Sequence, residues 1–184
     1  DISSNLKIVA IGRFVEKKGL DNLIVAARKL ANHSFHIYGF GDLEEEYNEL
    51  IKRYKLKNVF IHDKLSSSKE VRDVLIAADL FVLPCRVASN GDMDGIPTVL
   101  IEAMLVGTPV ISTMISSIPD LISDGVHGYL SKPNDPDDLV FKIQSFHLLS
   151  VEEKKLLIQR ALTKALHKYE SKHLMSKYTR VWFN

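Results

Sequence analysis

Basic side chains follow the first apolar run of the chain, in the stretch from Gly12 to Gly19. Arg13 and Lys18 lie there, just before a segment with helical spacing. Cations at a helix N-terminus oppose the helix dipole, at a cost of about 0.3–1 kcal/mol each, unless an anion lies among them. Gly12 would let the backbone approach that anion, and the two cations would converge on a diphosphate. We interpret the stretch as a phosphate site, with a solvated basic turn as the alternative.

A second candidate site lies in residues 84–104, after the fourth apolar run. Pro97 indicates the first turn of a helix that runs to about Val106, because its missing N–H costs nothing there. The amides of Thr98 and Val99 would then lack helical acceptors and point at an anion. This segment predicts a second phosphate contact.

Two acids flank that helix start. Asp94 precedes it, and Glu102 lies within it among apolar residues, where a carboxylate needs hydrogen bonds such as those of paired sugar hydroxyls. A core carboxylate paired with a lysine or with the backbone is the alternative for Glu102.

Two metal sites compete with this interpretation. An EF-hand starting at Asn90 would place Ile101 at its closing position, and an acidic pair of Asp92 with Asp94 is a weak signal by itself.

A glycine turn after the second apolar run resembles the start of a dinucleotide-binding fingerprint. Gly39 and Gly41 match it, but Glu44 replaces the third glycine, and acidic residues stand where a pyrophosphate would rest. We predict instead a capping box of Asp42 with Glu45 and a tight turn near a ligand. An NAD-dependent enzyme is disfavoured.

The elements that position these loops follow from hydrophobic periodicity. Apolar runs at 6–11, 35–38, 59–61, 80–83 and 109–112 predict buried strands. Segments 20–30 and 43–54 have helical spacing, and this alternation predicts an α/β, Rossmann-like doubly wound parallel sheet. Ligands of such sheets bind outside the carboxyl ends of the strands.

The chain becomes helical after Leu130, with helix starts at Asp135-Pro136 and at Val151. Residues 151–184 contain eight Lys or Arg and three Glu. Two interpretations remain for this tail: a solvated helix face that closes the domain, or a weak contact with a membrane surface.

The bulk numbers favour one domain. The chain has 184 residues and a formal charge of +1, so neither nucleic acid nor an anionic membrane would be attracted by its overall field. No apolar stretch reaches the ~18 residues that span a bilayer. Cys85 is the sole cysteine, which excludes an internal disulfide and suits the cytosol. The chain opens at Asp1 without a methionine or a leader, so we expect a piece of a longer protein.

These motifs together resemble the donor domain of retaining GT-B glycosyltransferases related to glycogen synthase, over residues 6–138. The matching residues are Gly12-Arg13, Lys18-Gly19, Asp94-Gly95-Ile96-Pro97, Glu102-Ala103-Met104 and Gly107-Thr108-Pro109-Val110. The resemblance implies transfer of a sugar from a nucleoside diphosphate sugar to a hydroxyl acceptor with retention, in surface polysaccharide or glycoconjugate assembly. It also implies an N-terminal acceptor domain that this chain lacks.

The same resemblance implies roles for the acids. Glu102 is expected on the ribose hydroxyls, and Asp94 on the hydroxyls of the donor sugar together with the amides of Gly95 and Ile96. The family usually has Glu where this chain has Asp94.

Arg13 and Lys18 match the family's diphosphate-binding pair. With the amides of Thr98 and Val99 they would stabilise the charge that grows on the departing diphosphate. No metal or other cofactor is then required, and no Cys/His cluster in the sequence indicates a metal site.

The turn after the third strand would border the nucleobase through Lys64 and Leu65, and Gly39 of the second turn is a further donor-binding candidate. Asp63 replaces the family's usual glycine in that turn, and His62 is more typical of strand-end packing than of catalysis. The alternatives to a transferase are a GT-B sugar-nucleotide epimerase and a non-catalytic nucleotide-sugar-binding module.

Overall fold

Six parallel strands and seven helices make up the computed structural model, which describes residues 5–168. The strands are β1 (Lys7–Arg13), β2 (Ser34–Phe40), β3 (Val59–His62), β4 (Leu80–Val82), β5 (Val110–Thr113) and β6 (Tyr129–Ser131). The helices are α1 (Leu20–Ala27), α2 (Glu44–Arg53), α3 (Ser68–Ile76), α4 (Thr98–Leu105), α5 (Ile118–Leu121), α6 (Pro136–His147) and α7 (Val151–Lys168). A short 3-10 turn, Glu16–Lys18, lies between β1 and α1.

The strands pair in the order β3-β2-β1-β4-β5-β6, and every pairing is parallel. Helix α1 contacts α2 and α6, and helix α4 contacts α3 and α7, so two groups of helices flank the sheet. Strands covered on both faces must be apolar throughout, and all three residues of β4 are buried. The predicted doubly wound α/β sheet is confirmed.

The chain reverses its direction across the sheet between β1 and β4. From β1 it builds outward through β2 and β3, and it then returns to the other side of β1 to build β4, β5 and β6. The loops that leave β1 and β4 therefore diverge at the carboxyl edge and open a crevice between them. Both candidate phosphate segments flank that crevice.

Strand β6 is absent from the sequence prediction, which made residues after Leu130 helical. The strand has only three residues and pairs with β5, with Ile111 opposite Tyr129. Such a run is too short to show periodicity, and only its neighbour makes it a strand.

Helix caps follow the prediction in part. The Asp135 carboxylate accepts the N–H of Asp138 at 2.9 Å, as the predicted start of α6 requires. The capping box at the second turn is wrong: α2 begins at Glu44 after Leu43, and no side chain caps it. Pro97 is the residue just before α4 rather than its first member, and its carbonyl accepts the N–H of Leu100 at 3.0 Å.

Helix α7 carries the described part of the basic tail, and residues 169–184 lie outside the described residues. Within residues 5–168, no helix combines the length and the apolar character needed to cross a bilayer.

Candidate functional site

A cleft of about 500 Å³ opens at the carboxyl edge between β1 and the start of α4, and we name it the switch-point cleft. Its lining residues are Ile11, Gly12, Arg13, Val15, Lys17, Lys18, Asp94, Gly95, Ile96, Pro97, Thr98 and Val99. Eight residues predicted from the sequence as site residues are among them: Gly12, Arg13, Lys18, Asp94, Gly95, Ile96, Thr98 and Val99. Residues more than 70 positions apart in sequence are thus brought together.

Cations and carboxylates of the cleft pair with one another. Lys18 Nζ lies 2.6 Å from Asp94 Oδ2, and both side chains are largely buried. Lys17 Nζ lies 3.0 Å from Asp92 Oδ2 and 3.4 Å from Asp94 Oδ1. The hydrogen bond that Lys17 donates to Asp92 and the negative charge of Asp94 raise the pKa of Lys17. An anionic ligand must therefore compete with Asp94 for the ammonium of Lys18.

The rim and floor of the cleft leave room for a ligand. Arg13 is exposed at the end of β1, and within residues 5–168 it forms no ion pair. A Cβ atom added at Gly12 would meet only the side chains of Lys18 and Leu83, at 3.6–3.8 Å, and one added at Gly95 would meet nothing within 4 Å. Backbone at both glycines is therefore accessible from the cleft.

The amino end of α4 forms the opposite wall. Amides in the first turn of a helix lack acceptors within that helix, and they carry the positive end of the helix dipole. Thr98 and Val99 are the first two residues of α4, and both line the cleft. This wall is suited to an anion that also contacts the basic turn.

Gly39 lies outside the cleft lining, and packing accounts for it. A Cβ atom at this position would lie 1.9 Å from the Gly12 carbonyl oxygen and 2.6 Å from the ring of Phe14. The ends of β1 and β2 could not approach this closely with any side chain here. A contact of Gly39 with a nucleobase stays a prediction.

Lys64, Leu65 and Glu102 also lie outside the lining. Lys64 is exposed in the loop after β3, with its Nζ 4.9 Å from the ring centroid of Phe40, and Leu65 is half-buried beside it. Glu102 lies in the second turn of α4 and is half-buried. Their predicted roles at the base and ribose remain predictions.

Polar contacts that no sequence motif predicts join the two loops of the cleft. The Glu16 carboxylate accepts the hydroxyl of Ser89 at 2.7 Å and its amide at 2.9 Å, and these bonds lower the pKa of Glu16. The Arg86 side chain donates to the Glu16 carbonyl at 2.9 Å. The partners are 70 or more positions apart, and no spacing rule relates them.

The segment that leaves β4 is held from below by β5. The hydroxyls of Ser112 and Thr113 donate to the carbonyls of Leu83 and Cys85. Cys85 is fully buried, and burial raises the pKa of its thiol to about 12.

Two histidines lie close together on β2 and β3, at the edge of the sheet that β3 forms. His36 Nδ1 lies 3.0 Å from His62 Nε2, and the His62 ring stacks on that of Tyr38. Burial is the main cause that lowers the pKa of both histidines. Within the described part of the chain, no group of three or more His, Cys, Asp or Glu residues is placed to hold a metal ion.

Residues 3–163 match the family model described as "Glycosyl transferases group 1". A similar protein is WcaL of Escherichia coli K12, whose name assigns it to colanic acid biosynthesis as a glycosyltransferase. It is 37% identical over 168 residues, and the match covers 89% of this chain and 41% of WcaL. The chain thus spans about two fifths of the length of that relative.

Two solved structures are similar over most of the chain. S. aureus TarM, solved as a mutant with fondaparinux, alpha-GlcNAc-glycerol and UDP, has a TM-score of 0.76 and 25% identity, over 97% of this chain and 36% of TarM. The C-terminal domain of LpcC, a glycosyl transferase group 1 family protein from Francisella tularensis, has a TM-score of 0.74 and 20% identity. That match covers 89% of this chain and 86% of the LpcC domain.

Proposed function

The chain belongs to the glycosyl transferases group 1 family, and on that premise we propose that it is the sugar-donor-binding domain of a retaining hexosyltransferase. The donor is a nucleoside diphosphate sugar, and the sugar passes to a hydroxyl of an acceptor held by a further, N-terminal domain. The similarity to the C-terminal domain of LpcC supports this division of the protein. The name of WcaL supports a role in surface polysaccharide assembly.

The observation that carries the proposal is the convergence of two cations and a helix end on one cleft at the switch point. Arg13, at the end of β1, and Lys18, in the turn that follows, border it on one side, and the first amides of α4 border it on the other. A diphosphate fits this pattern because it offers oxygens to both walls at once.

The two cations and the helix end at the cleft have a proposed role in the reaction. Bond cleavage at the anomeric carbon leaves an oxocarbenium-like sugar and a diphosphate whose negative charge grows. Lys18, Arg13 and the amides of Thr98 and Val99 stabilise that charge from positions that are already fixed. Two cations and a helix end supply this stabilisation without a metal ion.

Asp94 changes partner in this mechanism. The diphosphate takes Lys18, and the carboxylate that stood 2.6 Å from its ammonium then accepts hydrogen bonds from hydroxyls of the donor sugar. The amides of Gly95 and Ile96 lie beside it at the cleft. Glu102 binds the ribose hydroxyls, and Lys64, Leu65 and Gly39 border the base.

Calorimetry with nucleoside diphosphates tests the proposal, and UDP is the first choice because TarM was solved with it. We expect the double charge reversal R13E/K18E to weaken UDP binding by at least about 100-fold, since each charged contact is worth roughly 1.5–3 kcal/mol. The matched control is K52E/R53E, which reverses one lysine and one arginine at the exposed end of α2. Unchanged affinity in R13E/K18E, or a wild type that binds none of UDP, GDP and ADP, overturns the proposal.

The 184-residue chain is expected to bind nucleotide weakly and to transfer nothing by itself, because the acceptor site lies in another domain. Product analysis with a labelled nucleotide sugar checks this. Transfer by the chain alone would contradict it, and an epimerised sugar nucleotide from the longer protein would favour the epimerase alternative.

A further inference from the structure

We infer that Arg86 is a positioning residue for the diphosphate site: it fixes the 3-10 turn Glu16–Lys18, from which Lys17 and Lys18 reach the cleft. The inference rests on the proposed function and adds to it a residue outside the cleft lining. The chain's resemblance to its family assigns no role to this arginine.

The contacts of Arg86 run in several directions. Its Nε donates to the Glu16 carbonyl at 2.9 Å, and its backbone amide donates to the Lys17 carbonyl at 3.0 Å. One terminal nitrogen donates to Asp21 Oδ2 at 2.8 Å and lies 3.4 Å from Asn134 Oδ1. The side chain is 15% exposed.

Arg86 and its side-chain partners come from four segments of the chain. Arg86 belongs to the loop after β4, Glu16 to the basic turn after β1, Asp21 to the first turn of α1, and Asn134 to the loop before α6. A single guanidinium therefore joins the two loops of the cleft to the two elements behind them.

The other side-chain contacts between the loops compete with the ligand or lie at the surface, as the exposed hydrogen bonds between Glu16 and Ser89 do. Lys18–Asp94 must open when a diphosphate takes Lys18, and Lys17–Asp92 lies beside it with the Asp92 carboxylate half-exposed. The side chain of Arg86 binds Glu16, Asp21 and Asn134, none of which lines the cleft. The hydrogen bonds of Arg86 persist in the bound state. They keep the turn Glu16–Lys18 in place when the lysines leave Asp92 and Asp94 for the diphosphate.

An arginine is required because the bonds diverge from one planar group. Its Nε and its terminal nitrogen bind a carbonyl and a carboxylate at once, whereas the single ammonium of lysine cannot reproduce this fork. Within residues 5–168, Asp21 Oδ1 is buried without a hydrogen-bond partner, so the carboxylate depends on Arg86 for its charge compensation. Lysine would keep that compensation and lose the grip on the Glu16 carbonyl.

The test compares UDP with uridine in the wild type and in Arg86→Lys. Uridine has no phosphate and does not use the basic turn, so its affinity, measured by NMR titration, is expected to stay within about twofold. UDP affinity, measured by calorimetry, is expected to fall about tenfold, the effect of one lost or misplaced charged hydrogen bond. Arg72→Lys is the matched control, because Arg72 pairs with Asp73 on α3 away from the cleft.

The outcomes separate this inference from the proposed function. A wild type that does not bind UDP, GDP or ADP contradicts the donor site itself. A wild type that binds UDP, with Arg86→Lys binding it equally well, overturns only the role of Arg86. Equal losses for UDP and uridine would indicate a general structural role and also overturn it. Asp21→Asn approaches the same ion pair from the other side and is expected to weaken UDP binding selectively, by a smaller factor.

Discussion

Strands β1 and β2 each have a glycine as their last residue but one, Gly12 and Gly39, but the space around these glycines differs. A Cβ atom at Gly12 would lie 3.6 Å from the flexible side chain of Lys18. One at Gly39 would lie 1.9 Å from the Gly12 carbonyl oxygen, and one at Gly41 would lie 2.6 Å from that of Phe14. Of these three positions only Gly12 leaves space toward the switch-point cleft, whereas Gly19, just before α1, is again tightly packed, because a Cβ atom there would overlap the carbonyl oxygen of Pro84. The glycines of the second turn are required by the packing of β2 on β1.

Charge distinguishes the two turns where glycine spacing does not. Arg13, Lys17 and Lys18 follow Gly12 in the chain. Asp42 and residues 44–46, which are all glutamates, follow Gly39. A diphosphate is stabilised beside the first set and repelled by the second. Glycine in a strand-to-helix turn thus indicates either a ligand or close packing, and the neighbouring charges indicate which.

The largest expected effect is on stability, from Gly39→Ala. The added methyl group overlaps backbone that cannot move aside, so we expect a loss of roughly 3 kcal/mol in the free energy of unfolding. For a chain of this size that corresponds to a Tm lower by about 6–12 °C. Differential scanning calorimetry checks it, and an unchanged Tm would show that the two strand ends are not packed as described.

Lys18→Met should affect binding far more than folding. Loss of one charged contact is expected to weaken UDP binding about 10- to 100-fold. Calorimetry measures it against Asp42→Asn, the matched change in the second turn, which should stay within about twofold of the wild type. Comparable losses in both variants would remove the functional difference between the turns.

Gly12→Ala is the counterpart of Gly39→Ala and should show the opposite balance. The methyl group meets only side-chain atoms at ordinary van der Waals distance, so the Tm is expected to change by no more than about 2 °C. The backbone becomes less accessible to the diphosphate, and we expect UDP binding about tenfold weaker. A variant with lower Tm and intact affinity would contradict this assignment.

The smallest expected effect is the dependence of stability on pH, which should involve the histidines of β2 and β3. The pKa of His36 and of His62 is lowered in the folded protein, mainly by burial, so the unfolded chain takes up protons first as the pH falls. These histidines contribute nothing above their ordinary pKa of about 6.5, and stability is lost below it. We expect the urea midpoint of unfolding to decrease when the pH is lowered from 7.5 to 5.5. This decrease should be smaller than the one that Gly39→Ala causes at constant pH.

His36→Gln is the variant that assigns this pH dependence. It removes one titrating group of the pair and should reduce the difference between the two midpoints. His33, whose pKa is also lowered by burial, accounts for part of the dependence that remains. An identical pH dependence in wild type and variant would exclude the pair as its source.

Sequence patterns are sufficient for five of the six strands and for both walls of the cleft, because each depends on local information. Apolar runs identify β1 to β5, and the topology of parallel strands then brings Lys18 and Asp94 to one edge. Strand β6 was missed because its three residues have no periodicity of their own. The cap at Asp42 was misplaced because its spacing to Glu45 matched a motif that the turn at Gly41 does not form.

Long-range polar contacts were beyond the sequence for a different reason. Arg86 and Asp21 are 65 positions apart, and nothing in their spacing selects this pair from the other charges of the chain. The same holds for Glu16 with Ser89, 73 positions apart. Such partners become evident only when the fold has brought the loops together.

The buried thiol next to Arg86 can be used to measure local opening of the segment that follows β4. Cys85 is the sole cysteine, and a pKa of about 12 keeps it protonated and unreactive at neutral pH. Alkylation by a maleimide must therefore wait until the segment that leaves β4 lifts away from β5. The labelling rate therefore reports how often the segment opens. A nucleotide that contacts both loops of the cleft should lower this rate.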